Sequence, residues 1–175
     1  KIGTIRENIE KLYKKNEINF RERAILITSL IYASDKIANT CGHYDAYREN
    51  IDLKDDIFLK HLDIFHDKNS NNEIYNTDSN ILFEQLNYNV DIVYADPPYN
   101  SRQYSSLYHL VENLARWEKP DVEGKASKMK NRKELNSKYC NKTAIETFEE
   151  LISNVKAKYF ILSYSHMGIK GNDRS

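Results

Sequence analysis

Cysteine is scarce in this sequence. Cys41 and Cys140 stand far apart with no paired spacing, which excludes a disulfide framework and argues against a zinc or other metal site built on cysteine pairs. No apolar run is long enough to span a bilayer, and the residues after Lys1 show no signal-peptide pattern. A reducing cytoplasm with no membrane partner is the expected setting. Net charge is missing too: 26 basic and 26 acidic residues cancel, so the whole-chain balance marks neither a nucleic-acid binder nor an acidic tail. Repeats and low-complexity segments are absent as well. The chain starts without Met and stops at Ser175 soon after a strand-like run, from which a piece of a longer protein is expected.

What is present suits one domain or a large part of one. A hydrophobic fraction of 40% is enough for a core, while 30% charged residues leave a polar surface. The stretch from Lys119 to Lys142 is locally basic, with eight Lys and Arg against Asp121, Glu123 and Glu134. It reads equally as a solvated loop or as a phosphate-contacting one.

The first third is helical in pattern. Ile5, Ile9, Leu12 and Tyr13 recur at helical spacing. Asn19 followed by Glu22 predicts an N-cap with a reciprocal acidic partner, opening a helix that runs from Phe20 to Ala38. Asn39, Thr40 and Gly42 supply turn chemistry after it. The loop from Thr40 to Asn50 holds His43, Tyr44, Tyr47 and Arg48, which suit either sequence recognition or simple packing. A polar linker over 67–72 then marks an internal boundary between a helical region, 1–70, and a second region, 71–175. In the second region strand and helix patterns alternate. A short strand is predicted over Glu73–Asn76, a helix over Ser79–Leu86, and a strand over Asp91–Ala95. A helix over Tyr104–Trp117, another over Thr143–Val155, and a last buried strand over Tyr159–Ser163 complete the series. Alternation of this kind implies an α/β fold with a parallel sheet.

In such sheets ligands sit at the carboxyl ends of the strands, and the segment at such an end here is Asp96-Pro97-Pro98-Tyr99. Asp96 offers a carboxylate that accepts hydrogens from an amine. The two prolines fix the backbone and leave the Pro97 carbonyl outside any helix ladder. Tyr99 supplies a flat face on which a base can stack. Together they suit holding an exocyclic amine between two acceptors, which favours tetrahedral character at nitrogen before attack on a methyl sulfonium. An ordinary Pro-Pro turn beside an exposed Asp is the competing reading of these four residues.

The run from Asp91 through Asp96-Pro-Pro-Tyr-Asn-Ser-Arg-Gln-Tyr104 to Tyr108-His-Leu-Val-Glu112 resembles the amine-binding motif of Dam-like adenine-specific DNA methyltransferases, in the branch found in type II restriction–modification systems. Further segments resemble the family in the same order: Lys1–Ile9 and Leu30–Tyr47 the helical part, Ile74–Asp78 a strand-end motif lining the cofactor adenine pocket, and Tyr159–Ser165 a later core strand. The resemblance covers nearly the whole chain. It implies part of a Rossmann-like, S-adenosylmethionine-dependent methyltransferase fold with a preceding helical region. It implies double-stranded DNA as substrate, and a cognate restriction endonuclease as partner.

Roles follow residue by residue. The resemblance implies that Asp96 and the Pro97 carbonyl bind the target amine, with Pro98 fixing the turn and Tyr99 stacking on the flipped adenine. Asp78 and Ser79, with Asp96, are the expected cofactor-binding residues, although Asp78 reads equally as a helix N-cap. Asn100, Ser101, Arg102, Gln103 and Tyr104 are the expected DNA contacts, with Arg102 equally suited to a surface salt bridge. His109 and Trp117 are read as packing residues. Two departures stand out. The family's Gly-rich cofactor loop and its acidic ribose-binding residue are missing, since Gly3, Gly42, Gly124, Gly168 and Gly171 lie in no such pattern. The turn Ser165-His166-Met167-Gly168 is less rich in Asn or Glu than in relatives. Two other readings therefore stay open. One keeps methylation but changes the acceptor to a cytosine amine, an RNA base or glutamine. The other is a non-catalytic nucleic-acid-binding module or inactive relic.

Overall fold

The computed structural model describes residues 1–40, 42–44, 46, 56–63 and 71–164. Cys41, Tyr47, Arg48, the 67–70 part of the linker and Ser165–Gly168 lie outside the described residues. The chain divides into two compact units, one formed by Lys1–His66 with Tyr104–Leu135 and one by Asp67–Gln103 with Asn136–Ser175.

The first unit is helical. Helix α1 (Ile2–Lys14) and helix α2 (Phe20–Ile37) pack against each other, and Ile9, Ile27, Leu30 and Leu114 form the buried core. The capping box is present: Asn19 Oδ1 accepts from Glu22 N at 3.0 Å, and Glu22 Oε2 accepts from Asn19 N at 2.7 Å. Two orphan donors at the helix start are thereby satisfied. The helix expected over Tyr104–Trp117 is split into α4 (Tyr104–Leu107) and α5 (His109–Arg116). The cause is local. The Leu107 carbonyl accepts from Tyr44 N at 3.2 Å and so leaves the helical ladder, while Tyr108 makes edge-to-face contacts with Tyr44 and Tyr104. The basic stretch begins in this unit with a small hairpin, β2 (Val122–Glu123) against β3 (Lys128–Met129). Several of its cations are already paired: Lys119 with Glu7, Lys130 with Asp121, and Arg132 with Glu123.

Arg6 is fully buried. Its Nε and Nη2 donate to the Leu114 and Ala115 carbonyls at 2.7 and 3.1 Å, and Nη1 pairs with Glu10 at 2.5 Å. A cation thus satisfies carbonyls in the last turn of α5, where the helix dipole is negative. Trp117 stacks against the same guanidinium, 5.3 Å from its centroid, and donates Nε1–H to Glu7 at 2.9 Å. His109 is buried. Both residues therefore serve packing, as the sequence suggests.

The second unit carries the sheet. Strand β1 (Val90–Ala95) pairs in parallel with β4 (Ala157–Leu162), from Val90↔Ala157 to Ala95↔Leu162. Helix α3 (Ser79–Gln85) packs on helix α6 (Ala144–Asn154). Alternation puts Val93 and Phe160 on one face, where Phe160 meets Phe148 of α6 edge-on at 6.2 Å. Ile92, Tyr94, Tyr159 and Ile161 share the opposite face and are 58%, 64%, 58% and 48% exposed. The expectation of a buried last strand is corrected on this point: among the described residues, a helix covers one face of the pair and the other is exposed. The strand expected over Glu73–Asn76 is also absent. That segment is irregular, Ile74 is 95% exposed, and Glu73 accepts from the hydroxyls of Tyr75 and Tyr88. A mixed helix-and-strand fold with a parallel pair is therefore what the described residues contain.

Glu10 lies between two guanidiniums, Arg6 and Arg23, with Arg23 Nη2 at 2.6 Å. Burial pushes its carboxyl up, but the hydrogen bonds from both arginines outweigh it and hold it below the ordinary value of 4.5. A carboxylate lowered on folding stabilises the folded state above its unfolded value and loses that contribution as pH falls through its folded value. Glu10→Gln is expected to lower the melting temperature at neutral pH, with the deficit closing as the pH falls below 4.5. Melting curves taken across that range check it, and a deficit independent of pH contradicts it.

Candidate active site

The parallel pairing brings the carboxyl ends of β1 and β4 side by side, and Ser163 N extends it by donating to the Ala95 carbonyl at 2.9 Å. Asp96 follows immediately. Pro97 and Pro98 cannot donate to a ladder, so the chain leaves the sheet there. Asp96 is exposed, both prolines are half-buried, and Tyr99 is 45% exposed. Beyond them the chain turns: Asn100 Oδ1 accepts from Arg102 N at 2.9 Å, a side-chain turn of the kind Asn favours.

A cleft of about 530 Å³ opens at this point, lined by Tyr99, Asn100, Tyr139, Asn141, Lys142 and Tyr164 among others. Such a volume falls within the usual range of small-molecule sites, roughly 300–1,000 Å³. Three tyrosine rings, two side-chain amides and the Lys142 ammonium therefore line one cleft a few residues past Asp96, which suits a flat, polar-edged ligand such as a nucleobase.

The far wall is a strap over residues 137–141, wound into a 3₁₀ turn at Lys138–Cys140 and capped by Ser137, whose Oγ accepts from Tyr139 N at 3.2 Å. Tyr139 donates its hydroxyl to Asn80 Oδ1 at 2.6 Å and lies 3.5 Å from Ser79 Oγ. Burial raises the Tyr139 pKa, with the Asp78 and Glu150 charges adding to it against the Ser79 hydrogen bond, so the phenol remains a donor. Asn80, only 7% exposed, donates to the Thr147 carbonyl at 2.9 Å and to Glu150 Oε2 at 2.8 Å. One amide thus ties α3, the strap and α6 together.

Residues 3–173 match a family described as the D12 class N6 adenine-specific DNA methyltransferase. The chain belongs to that family. Over 97% of its length it is 40% identical to modification methylase StsI of Streptococcus sanguinis and 36% identical to type II methyltransferase M.FokI of Planomicrobium okeanokoites. It is 33% identical to type II methyltransferase M.NlaIII of Neisseria lactamica. The chain spans 26% of the length of the first two and 50% of the third. No solved structure matches it. Among the described residues no helix is long and apolar enough to cross a membrane.

For a D12-class chain, the sequence-predicted residues fall into three groups. Asp96, Pro97, Pro98 and Tyr99 follow the end of β1, and of the four Tyr99 lines the cleft. Asp78 caps α3, its Oδ1 accepting from Asn80 N at 2.9 Å, and Ser79 faces Tyr139. Asn100 and Ser101 line the cleft, while Gln103 is turned toward the strap. Tyr104 begins α4 in the other unit and stacks on Tyr108 at 5.5 Å. Sequence reading missed Asn80, Tyr139, Asn141, Lys142 and Tyr164. Asn80 follows the Asp78 cap by two residues, but nothing in its spacing marks a hub. Tyr139 and Asn141 sit in a stretch legible only as basic.

Tyr139→Phe keeps the ring on the cleft and removes one hydrogen bond to a buried amide. A stability loss of about 1 kcal/mol is expected, the usual net value of such a bond, read by denaturant melts. Unchanged stability contradicts the hub assigned to Asn80.

Proposed function

We propose that the protein transfers a methyl group from S-adenosylmethionine to N6 of an adenine flipped out of double-stranded DNA. The carrying observation is the placement of Asp96-Pro97-Pro98-Tyr99 at the carboxyl end of a parallel strand pair, opening on a tyrosine-lined cleft. An amine inside a duplex is out of reach, so the base leaves the stack at a cost of a few kcal/mol. Tyr99 and the other cleft rings take up its face. The Asp96 carboxylate and the Pro97 carbonyl accept the two amine hydrogens, which turns the nitrogen lone pair outward and stabilises the positive charge that develops there. Asp96 then takes the proton released as the N–C bond forms. S-adenosylmethionine, when bound, supplies the electrophilic methyl group. The residues present fit it in part. Asp78 spends one carboxylate oxygen on its cap and retains an exposed face for an adenine amine, with Ser79 beside it.

The wider fold we infer is Rossmann-like. The parallel pair supports it, and so does the uncovered face of Ile92, Tyr94, Tyr159 and Ile161, since parallel sheets are ordinarily covered on both faces. On this reading residues 1–70 serve target recognition and 71–175 catalysis. Asn100, Ser101 and Arg102 contact the DNA strand around the flipped base. The StsI and M.FokI relatives carry modification and type II names, which support a place in a restriction–modification system beside a cognate endonuclease.

Asp96→Asn keeps the size of the side chain and one acceptor but removes the charge. In the complete protein it is expected to lower kcat by about 100-fold or more, the scale of losing one charge-stabilising group. S-adenosylmethionine affinity, read by calorimetry on the same variant, separates a loss of methyl transfer from a loss of cofactor binding. Retention of most of the turnover would show that Asp96 neither stabilises charge nor accepts the proton.

A further inference from the structure

Gln103 has an arrangement that the reaction described above leaves unused. Its side-chain amide meets the peptide of Ser137 face to face. Ser137 N donates to Gln103 Oε1 at 2.8 Å, Gln103 Nε2 donates to the Ser137 carbonyl at 3.0 Å, and the same nitrogen reaches Asn141 Oδ1 at 3.2 Å. One side chain therefore clasps both ends of the strap. A second, weaker clasp comes from Cys140, whose Sγ lies 3.4 Å from the Arg102 carbonyl. The strap is a single 3₁₀ turn, a poor hydrogen-bonding geometry on its own, yet it carries Tyr139 and Asn141 into the cleft. Gln103 stands four residues after Tyr99, which lines the same cleft. The two are joined by the Asn100 turn, so tying Gln103 to Ser137 fixes the distance across the opening.

We propose that Gln103 is a positioning residue, whose amide locks the 137–141 strap as the wall of the target-base cleft and so sets how well a flipped adenine is seated. The proposal rests on the functional reading above. Its chemistry is specific to an amide. A carboxylate in its place still accepts from Ser137 N but sets negative charge against the Ser137 carbonyl and Asn141 Oδ1. A protonated carboxyl restores the missing donor. Two carbonyl oxygens at that distance favour the protonated form and raise the pKa of such a group.

The test compares Gln103→Met and Gln103→Glu in the complete protein, using a DNA duplex that contains the target adenine. Gln103→Met is expected to lower kcat/KM for DNA about 100-fold, the effect of losing three ordinary hydrogen bonds of about 1 kcal/mol each, with cofactor affinity unchanged. The Ser137 amide is expected to exchange faster with deuterium. Gln103→Glu is expected to be impaired at about pH 8 and to recover relative to wild type as the pH falls to about 6. Packing alone gives no such recovery. Wild-type kcat/KM in Gln103→Met, or a Gln103→Glu defect that pH does not move, overturns the proposal. If Gln103→Met fails to fold, the pH profile of Gln103→Glu decides. A wild-type protein that transfers no methyl group to DNA defeats the functional reading instead. In that case unchanged Ser137 exchange in the variant still overturns the clasp independently.

Discussion

The parallel pairing of β1 with β4 is the constraint on which the candidate site depends. It aligns Ala95 with Leu162, so the residues that follow both strands emerge at one end of the sheet. Proline at 97 and 98 then stops further pairing, which keeps Asp96 at the edge of the ladder rather than inside it. Tyr99 and Tyr164 line one cleft because each follows one of these two strand ends. The site is thus placed by backbone geometry, and its side chains inherit their positions.

Within each unit, buried polar side chains tie elements that are distant in sequence. In the helical unit Arg6 reaches the carbonyls that end α5, over a hundred residues along the chain. Removing one partner of so buried a pair leaves charge and carbonyls without compensation, which is costlier than the pair is worth as attraction. In the other unit Asn80 plays the corresponding part, accepting from Tyr139 and donating to α6. Such networks specify one arrangement because a partly satisfied version is penalised.

Features that depend on neighbours in sequence were the legible ones. The Asn19–Glu22 box, the helix after it, the Asp91–Ala95 strand and the abrupt Pro-Pro stop each follow from residues within a turn of one another, and each is present. The position of the four motif residues directly after that strand was legible for the same reason. Features that depend on distant partners were not legible. The break at Tyr108 needs Tyr44 to capture the Leu107 carbonyl, and Glu73–Asn76 pairs with no strand among the described residues. The cleft wall needs Gln103 and Asn80 to fold a basic stretch into a strap, and no local pattern announces that. The exposed face of β1 and β4 was unreadable because an apolar strand looks the same whether one face or both are covered.

The assignment of adenine as the acceptor rests on the amine held between Asp96 and Pro97. It is tested most directly by incubating the complete protein with DNA and S-adenosylmethionine carrying a labelled methyl group, then digesting the DNA to nucleosides and identifying the labelled one. The account predicts label in N6-methyldeoxyadenosine alone. Label in N4-methyldeoxycytidine, or none in DNA while the protein binds both DNA and S-adenosylmethionine, would contradict it.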